Sequence, residues 1–249
     1  MINIKIQNEV AIFKLKRGIT NAINKDLIVE LAAQLDNIKL DSKVKSLILT
    51  SHNDKFFSIG FDIPELLKYS KVEFSEFFHS FNQLCMQLYT FPKPTFAAIT
   101  GHATAGGCIL AICCDYRYIA DGRKFMGLNE IKLGVPLPYP TYIILKELVG
   151  ARFSRDISDS GDFYLPEKLL EMGMVDDILP AHQVISTAID KAKIMSSYPS
   201  NGFELIKKDR VEMVEQQINQ KLTEKEKIFV DQWYSDDVRK TLKEAAKKF

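Results

Sequence analysis

One acidic side chain, Glu130, stands in an unusually apolar stretch of this sequence. The segment FMGLNEIKLGV, residues 125–135, contains no other carboxylate. Apolar surroundings disfavour the charged form of a carboxyl group, so its pKa rises toward neutrality. Such a group can take a proton and return it, which is general acid–base chemistry. The plainer alternative is a solvated or salt-bridged glutamate near the end of a strand.

Two glycine segments could supply a second chemical function. In FFSIGFDI, residues 56–63, Ser58, Gly60 and Asp62 lie two apart, and Asp62 suits the N-cap of the helix that follows. In GHATAGGCILA, residues 101–111, two glycines precede an apolar helix, whose first N–H groups have no partner within the helix. A tight turn and a close helix–strand contact would explain the two segments without any function.

Together, the two segments predict a site for a negatively charged oxygen. Backbone N–H groups from two segments can hold one oxygen between them and stabilise the charge that develops on it during a reaction. Neither phosphate-binding pattern, G-x-x-x-x-G-K-[ST] or G-x-G-x-x-G, occurs in the sequence. An oxyanion hole is therefore favoured over a phosphate cradle.

The composition is that of an ordinary globular protein. The 249 residues carry 33 basic and 32 acidic side chains, a formal net charge of +1, which does not suggest a nucleic-acid-binding face. The four cysteines are expected to be buried thiols, so we expect a reducing, cytoplasmic location and no metal site. The uncharged segment 95–114 has the length of a membrane span, but its glycines and threonines favour a strand, a turn and a helix.

Strands and helices alternate along the first part of the chain, which predicts a layered α/β core. The predicted strands are two within residues 2–14 and one each at 44–51, 95–100, 116–120 and 175–179. An extended piece is expected to start at Phe125 and to reach Glu130.

The last part of the chain is almost entirely helical in pattern and highly charged. We divide the sequence into a core, residues 1–195, and a C-terminal helical region, residues 196–249. Apolar residues such as Phe229 and Trp233 recur in this region, so we expect it to pack on the core or on a neighbouring subunit.

The sequence resembles the enoyl-CoA hydratase/isomerase (crotonase) family in four consecutive blocks: KFFSIGFDIPEL, ITGHATAGGCILAICCDYRYIA, FMGLNEIKLGV and LPEKLLEMGMVDDILP. The resemblance covers essentially the whole chain. It implies a spiral of β-β-α units, a C-terminal helical trimerisation region and an acyl-CoA thioester as substrate. It also implies that the N–H groups of Phe61 and Gly106 form the oxyanion hole for the thioester carbonyl.

The resemblance extends to the residues that would surround the substrate. It places the thioester beside Ser58, Gly60, Asp62, Ile63, Ala105, Gly107, Ile109 and Asn129, and the nucleotide part of CoA beside Lys16, Arg17 and Ile19. It implies no cofactor, because CoA enters as part of the substrate. A homotrimer or hexamer is the implied assembly, with no nucleic-acid partner and no membrane span.

Members of this family differ in their acid–base groups, and this chain retains one of three. Hydratases usually carry a glutamate three residues after the hole-forming glycine, where this chain has Ile109. Their second glutamate corresponds to Glu130, which follows Asn129. Hydrolases and dehalogenases often place an aspartate further on, where this chain has Pro138.

One carboxylate suits an isomerase better than a hydratase. A single base can move a double bond from C3–C4 to C2–C3, whereas the addition of water is naturally divided between two groups. The motifs GLNE and KRGITNA also look closer to the Δ3,Δ2-enoyl-CoA isomerases of the family. The alternatives are a hydratase or lyase that uses a single acid, and a non-catalytic acyl-CoA-binding protein.

Three further polar residues are expected to serve structure. His102 is expected to be packed or hydrogen-bonded rather than to act as a base. Asp115 and Arg117 are expected to form a structural pair or network.

Overall fold

The chain folds into units of two strands and a helix, repeated three times. The computed structural model describes residues 1–247. In each unit the first strand joins one sheet and the second strand joins another sheet. A helical segment returns the chain to the first sheet after two of the units; after the third, the chain adds one more short strand to the second sheet before it returns. This architecture confirms the predicted α/β class and the spiral of β-β-α units.

The larger sheet has six strands. They are β1 (Ile2–Gln7), β2 (Val10–Leu15), β3 (Ser46–Ser51), β5 (Thr95–Ile99), β7 (Tyr116–Ala120) and β10 (Asp177–Leu179), in this spatial order. β1 is antiparallel to β2, and the other neighbours are parallel. Every residue of β3 and β5 is buried, as expected of parallel strands covered on both faces.

The smaller sheet has four short strands. They are β4 (Phe56–Ser58), β6 (His102–Thr104), β8 (Met126–Gly127) and β9 (Phe163–Tyr164), in this spatial order. β4, β6 and β8 are parallel to one another, and β9 is antiparallel to β8. The carboxyl ends of the three parallel strands therefore lie at one edge of this sheet.

Helices cover both sheets and form the C-terminal region. They are α1 (Lys25–Leu40), α2 (Ile63–Leu66), α3 (Lys71–Tyr89), α4 (Gly106–Ile112), α5 (Glu130–Leu133), α6 (Tyr139–Ser160), α7 (Pro166–Glu171), α8 (Val184–Ser196), α9 (Ser200–Trp233) and α10 (Asp236–Ala246). α8 lays a buried face with Ala188 and Ala192 on the larger sheet, beside Ile48 and Phe96. The other helices contribute to one main hydrophobic core, which also includes residues of both sheets and of the C-terminal region.

The C-terminal helices pack on the core of the same chain. Phe229 and Trp233 of α9 stack on Phe78 and Phe74 of α3, with ring centroids 3.9 and 4.4 Å apart. Such aromatic contacts bury large apolar areas. This packing agrees with one of the two arrangements expected from the sequence. The boundary predicted between residues 195 and 196 falls within the last turn of α8.

The extended piece predicted from Phe125 to Glu130 is confirmed only for its first part, the strand β8. β8 ends at Gly127, and Glu130 is the first residue of the one-turn helix α5 rather than the end of an extended segment. Gly134 ends this helix with a φ of +80°.

Of the two alternatives expected for Asp115 and Arg117, the network is confirmed, and within residues 1–247 their side chains form no ion pair with each other. The Arg117 guanidinium donates to the carbonyl of Met174 at 2.9 Å and lies 3.3 Å from the Asp176 carboxylate. The Asp115 carboxylate turns instead toward Thr95 and α9. Charge type alone does not tell which of several nearby partners a buried acid takes.

The uncharged segment 95–114 forms β5, β6 and α4 rather than one long helix. No helix within residues 1–247 is both long and apolar enough to cross a membrane. All four cysteines are buried free thiols, in agreement with the sequence prediction.

Candidate active site

Three predicted site residues follow the three parallel strands of the smaller sheet. Phe61 comes after β4, Gly106 comes directly after the Ala105 that follows β6, and Glu130 comes after β8. Because the carboxyl ends of parallel strands share one edge, the fold gathers residues that are far apart in sequence. A hydrogen bond of 2.9 Å from Ala105 N to Gly127 O ties the second strand end to the third.

Ile23 forms two backbone hydrogen bonds with the segment that follows β4. Its N–H donates to Gly60 O at 2.7 Å, and Asp62 N donates to Ile23 O at 2.9 Å. In an extended pairing, successive residues direct their N–H and C=O groups to opposite sides. The Phe61 N–H, which lies between the two bonded residues, therefore points away from Ile23.

Gly60 allows the first segment to approach the second closely. It adopts a φ of +92°, and a β-carbon at this position would lie 2.7 Å from Gly106 N and 2.9 Å from Ala105 Cβ. A β-carbon on Gly106 would lie 3.1 Å from Gly60 Cα and 3.5 Å from Phe61 Cδ1. Side chains at the two glycines would push the segments apart, so the glycines keep the backbones of Phe61 and Gly106 adjacent.

The two backbone N–H groups at this approach are free. Within residues 1–247, neither Phe61 N nor Gly106 N donates a hydrogen bond to another residue. Gly106 begins α4, where the N–H groups of the first turn have no helical partner. Two free N–H groups on adjacent segments can bind one oxygen and stabilise negative charge on it.

The residue before Gly106 is strained. Ala105 has φ +48° and ψ −122°, a backbone conformation that residues with a β-carbon rarely adopt. A conformation of this kind costs on the order of 1–3 kcal/mol and is concentrated at functional sites. The strained peptide unit joins Ala105 to Gly106, so it fixes the direction of the Gly106 N–H.

Glu130 is buried without a partner for one of its oxygens. The residue is 6% exposed, and its Oε2 has no hydrogen-bond partner within residues 1–247. Burial raises the pKa of Glu130 from 4.5 to about 7, and the backbone amides of Glu130 and Asn129 oppose this rise only in part. Both protonation states are therefore populated near neutral pH. The alternative of a solvated or salt-bridged glutamate is wrong.

Glu130 lies close to the helix that begins at Gly106. Cys108, two residues into α4 from Gly106, has a pKa raised first by burial and next by the charge of Glu130. Leu128, two residues before Glu130, is also buried. A buried carboxyl group at the same sheet edge as two free N–H groups can move a proton on a substrate whose oxygen the N–H groups hold.

The predicted substrate-binding residues have different surroundings. Ser58 is fully buried, and its Oγ donates to Asn21 O at 2.8 Å and accepts from Gly60 N at 3.2 Å. A β-carbon on Gly107 would lie 2.2 Å from Ser58 O, so Gly107 allows α4 to pack on β4. Asn129 is half-buried beside Glu130, whereas Ile63 and Ile109 are buried.

The predicted CoA-binding residues differ in their exposure to solvent. Lys16 and Ile19 are exposed. Arg17 is partly buried, with its guanidinium 2.8 Å from Asp62 Oδ2 and 3.0 Å from Glu65 Oε2. Asp62 also caps α2 by accepting from Glu65 N at 3.0 Å, as the sequence predicted.

His102 has the structural role expected for it. Its Nδ1 accepts a hydrogen bond of 2.9 Å from Phe125 N, and its ring stacks near the Phe125 ring, with centroids 5.5 Å apart. It lies at the start of β6, at the opposite end of the strand from Gly106.

Sequence reasoning predicted Ala105 beside the substrate but missed its strained backbone, because a glycine would signal such a conformation and an alanine does not. It also missed Asn21, which is fully buried with φ +48° and donates to Phe57 O at 3.0 Å. Asn21 stands in the motif KRGITNA, and an asparagine after a Gly-containing turn is the one available signal.

The family model described as enoyl-CoA hydratase/isomerase matches residues 5–248 of the chain. The chain therefore belongs to the enoyl-CoA hydratase/isomerase family, and the resemblance in its four sequence blocks is confirmed. Among curated relatives, mitochondrial enoyl-CoA delta isomerase 1 of Mus musculus is 31% identical over 199 residues, which cover 80% of this chain and 69% of the relative. The short-chain-enoyl-CoA hydratase of Clostridium acetobutylicum is 29% identical over 195 residues, covering 78% of this chain and 74% of the relative.

Solved structures share the fold over nearly the full chain. The human mitochondrial delta3-delta2-enoyl-CoA isomerase superposes with a TM-score of 0.95 at 27% identity, covering 99% of this chain and 97% of that one. An enoyl-CoA hydratase from Bacillus halodurans superposes with a TM-score of 0.90 at 22% identity, covering 98% and 99% of the two chains. The second likeness concerns the fold alone.

Proposed function

We propose that this enzyme moves the double bond of a 3-enoyl-CoA thioester to the 2-trans position, with Glu130 as the proton shuttle. The observation that carries the proposal is a single buried carboxyl group with a pKa of about 7, at the strand edge where two N–H groups are free. The similarity to the mouse enoyl-CoA delta isomerase 1 supports the same activity.

The proposed reaction has two proton transfers. The carbonyl oxygen of the thioester accepts hydrogen bonds from Phe61 N and Gly106 N, which makes a C2 proton more acidic. Ionised Glu130 takes that proton, and the electrons spread over the dienolate from the oxygen to C4. The protonated Glu130 then returns the proton to C4, which leaves the double bond between C2 and C3.

The surroundings of Glu130 suit transfer within the substrate better than addition of water. Hydration needs one group to activate water and another to deliver a proton. The position at which hydratases carry a glutamate holds Ile109, a buried aliphatic residue on α4. An aliphatic side chain neither orders nor activates a water molecule.

The proposed reaction is balanced without a cofactor. The proton that leaves C2 is the one that arrives at C4, and no electron enters or leaves the substrate. CoA takes part as the thioester portion of the substrate.

A substrate panel tests this proposal. Purified protein is incubated with 3-enoyl-CoA and, separately, with 2-enoyl-CoA thioesters of several chain lengths, and the product position is determined by NMR. We expect 2-trans-enoyl-CoA from the first set and little hydration of the second. Strong hydration of 2-enoyl thioesters would assign the chain to the hydratases, and tight binding with no turnover would make it a non-catalytic acyl-CoA-binding protein.

The proposed assembly is a homotrimer or hexamer. Four large apolar residues on α9 and just before it are more than half exposed in the single chain: Tyr198, Leu205, Ile206 and Met213. Exposed apolar side chains that cluster on one element are typical of subunit contacts. Sedimentation velocity at micromolar concentration should give the mass of three or six chains, whereas a monomer would contradict the proposal.

A further inference from the structure

Arg17 contacts three separate parts of the strand-end region through one guanidinium group. Its Nη1 lies 2.8 Å from Asp62 Oδ2 and donates to Ala22 O at 2.9 Å, and its Nη2 lies 3.0 Å from Glu65 Oε2. A planar guanidinium with five N–H donors is well suited to such multiple contacts.

The three contacts flank the backbone that presents the Phe61 N–H. Ala22 directly precedes Ile23, whose hydrogen bonds bracket Phe61. Asp62 directly follows Phe61. Arg17 thus closes a ring that runs from the turn at residues 17–23, through Ile23, to the start of α2.

The carboxylate at the far side of this ring is itself held in place. Glu65 accepts hydrogen bonds from Asn24 Nδ2 at 3.1 and 3.2 Å and from the Tyr69 hydroxyl at 3.0 Å. Asp62 is fixed as the cap of α2, through the bond from Glu65 N to its Oδ1. Both carboxylates that pair with Arg17 are therefore also held by hydrogen bonds from other residues.

The local charge argues against a CoA phosphate as the main partner of Arg17. One guanidinium stands against two carboxylates within 3.0 Å, so the group of three side chains has a net charge of −1. A phosphate that approached it would meet more negative than positive charge. Lys16, the exposed neighbour, forms no ion pair within residues 1–247 and is the better candidate for a phosphate.

We propose that Arg17 is a positioning residue: by fastening residues 17–23 to Asp62 and Glu65, it keeps the Phe61 N–H aimed beside the Gly106 N–H. This role rests on the proposed use of the two N–H groups as the site for the thioester oxygen. Without the guanidinium, Ile23 would still pair with Gly60 and Asp62, and Asn24 would still donate to Glu65, but residues 17–22 would lose their ion pairs with Asp62 and Glu65.

Two substitutions at Arg17 and one matched control test the role. Arg17→Gln removes the charge and the fork of donors, and Arg17→Lys keeps the charge but cannot reach both acids bidentately. The control is Arg155→Gln, which removes an arginine from an exposed pair with Asp156 on α6. Melting temperatures of all three variants show whether they remain folded.

The decisive readout is the polarisation of a bound thioester carbonyl. A saturated acyl-CoA labelled with ¹³C at the carbonyl carbon is bound to each protein, and the shift of its carbonyl stretch is measured by infrared difference spectroscopy. Two N–H donors lower this frequency by drawing electron density to the oxygen, and the effect requires no turnover. The same proteins are assayed for kcat and KM with a 3-enoyl-CoA.

In Arg17→Gln we expect a smaller carbonyl shift and a kcat lowered roughly 10- to 100-fold, as for small misplacements of catalytic geometry. KM should stay within a factor of about three, because the lost interaction acts mainly in the transition state. Arg17→Lys should recover part of the shift and of kcat, and Arg155→Gln should match the unmodified protein.

Two results would overturn the positioning role. Weaker acyl-CoA binding with an unchanged carbonyl shift and kcat would make Arg17 a CoA ligand. A lower melting temperature with both quantities unchanged would leave only a stabilising ion pair. If the unmodified protein does not shift the double bond, the proposed function fails, whereas the carbonyl shift still decides the role of Arg17.

Discussion

Two carboxyl groups of this chain are buried to a similar degree and have opposite surroundings. Asp115, directly before β7, accepts hydrogen bonds from Thr95 N and Oγ1, both at 2.9 Å, and pairs with Lys207 Nζ at 2.8 Å and with Arg210. Glu130 has no hydrogen-bond partner for Oε2 within residues 1–247.

The difference shows what each acid does. Asp115 compensates a buried lysine and joins α9 to the larger sheet, so all its acceptor capacity serves the fold. Glu130 forms no ion pair within residues 1–247, and its burial costs stability whenever it is charged. An acid that a fold leaves unpaired beside free N–H groups is a candidate for chemistry, whereas a fully paired acid is a structural element.

The largest expected effect is on catalysis by Glu130. Glu130→Gln keeps the shape of the side chain but removes the group that takes the proton. We expect kcat for 3-enoyl-CoA to fall by roughly 10²–10⁴, with acyl-CoA affinity nearly unchanged, as for the loss of a general base. Steady-state kinetics with isothermal titration of a saturated acyl-CoA measures both quantities.

The matched control for this substitution is Glu167→Gln, in the first turn of α7 and away from the strand edge. It should leave kcat unchanged. Equal losses in the two variants would remove the special role of Glu130, as would a Glu130→Gln protein with near-native turnover.

Asp115→Asn should affect stability instead of chemistry. The substitution leaves Lys207, whose side chain is 2% exposed, without its charge partner. Removing one partner of a buried pair costs about 3–5 kcal/mol of unfolding free energy. Urea unfolding measures this loss, and kcat per folded molecule should match that of the unmodified protein. A fall in kcat comparable to that of Glu130→Gln would contradict the purely structural role of Asp115.

The pH dependence of stability should carry the signature of Glu130. Its pKa rises from 4.5 to about 7 on folding, so the folded state holds a proton that the unfolded state has lost between these values. The stabilising contribution is full below about pH 4.5 and is lost as the pH rises to about 7, a change of about 3 kcal/mol.

Glu130→Gln removes this titration. The difference in unfolding free energy between the variant and the unmodified protein, measured by urea unfolding from pH 5 to pH 8, should shift in favour of the variant as the pH rises. A difference that stays constant over this range would mean that Glu130 has an ordinary pKa in the folded protein.

The smallest expected effect is the gain of hydration in Ile109→Glu. A carboxyl group three residues after Gly106 would supply the second group that hydration needs. We expect a measurable rise in hydration of 2-enoyl-CoA from a low level, with a stability loss of about 1–3 kcal/mol for an unpaired polar group at a buried position. Ile109→Gln is the control, since it adds polarity without a base. Equal hydration by the two variants would show that the missing carboxylate at position 109 is not what limits hydration.

Much of the fold follows from local patterns in the sequence. Aliphatic runs such as residues 46–51 are recognisable as buried strands, and Asp62 before Pro64 marks the start of α2. The short helix α5 was not predicted. It begins at Glu130, where the sequence analysis expected an extended piece, and it ends at Gly134 in the left-handed conformation.

Family motifs indicated Glu130, the two glycine segments and Ala105, but not the buried Asn21. They also did not indicate the strain at Ala105, because that strain depends on the orientation of the peptide plane between Ala105 and Gly106. Arg17 illustrates a further limit. The sequence predicted it beside CoA, but in the structure it pairs with Asp62 and with Glu65, which is 48 residues away in sequence.

The proposed mechanism requires that one shielded carboxyl group carry the proton from C2 to C4. A 3-enoyl-CoA that carries deuterium at C2 is converted in ordinary water, and the label in the 2-enoyl product is located by NMR. Because Glu130 is buried and one of its oxygens has no hydrogen-bond partner within residues 1–247, we expect deuterium at C4 in a substantial share of the product. Complete replacement by solvent hydrogen at C4, together with turnover that survives Glu130→Gln, would contradict it.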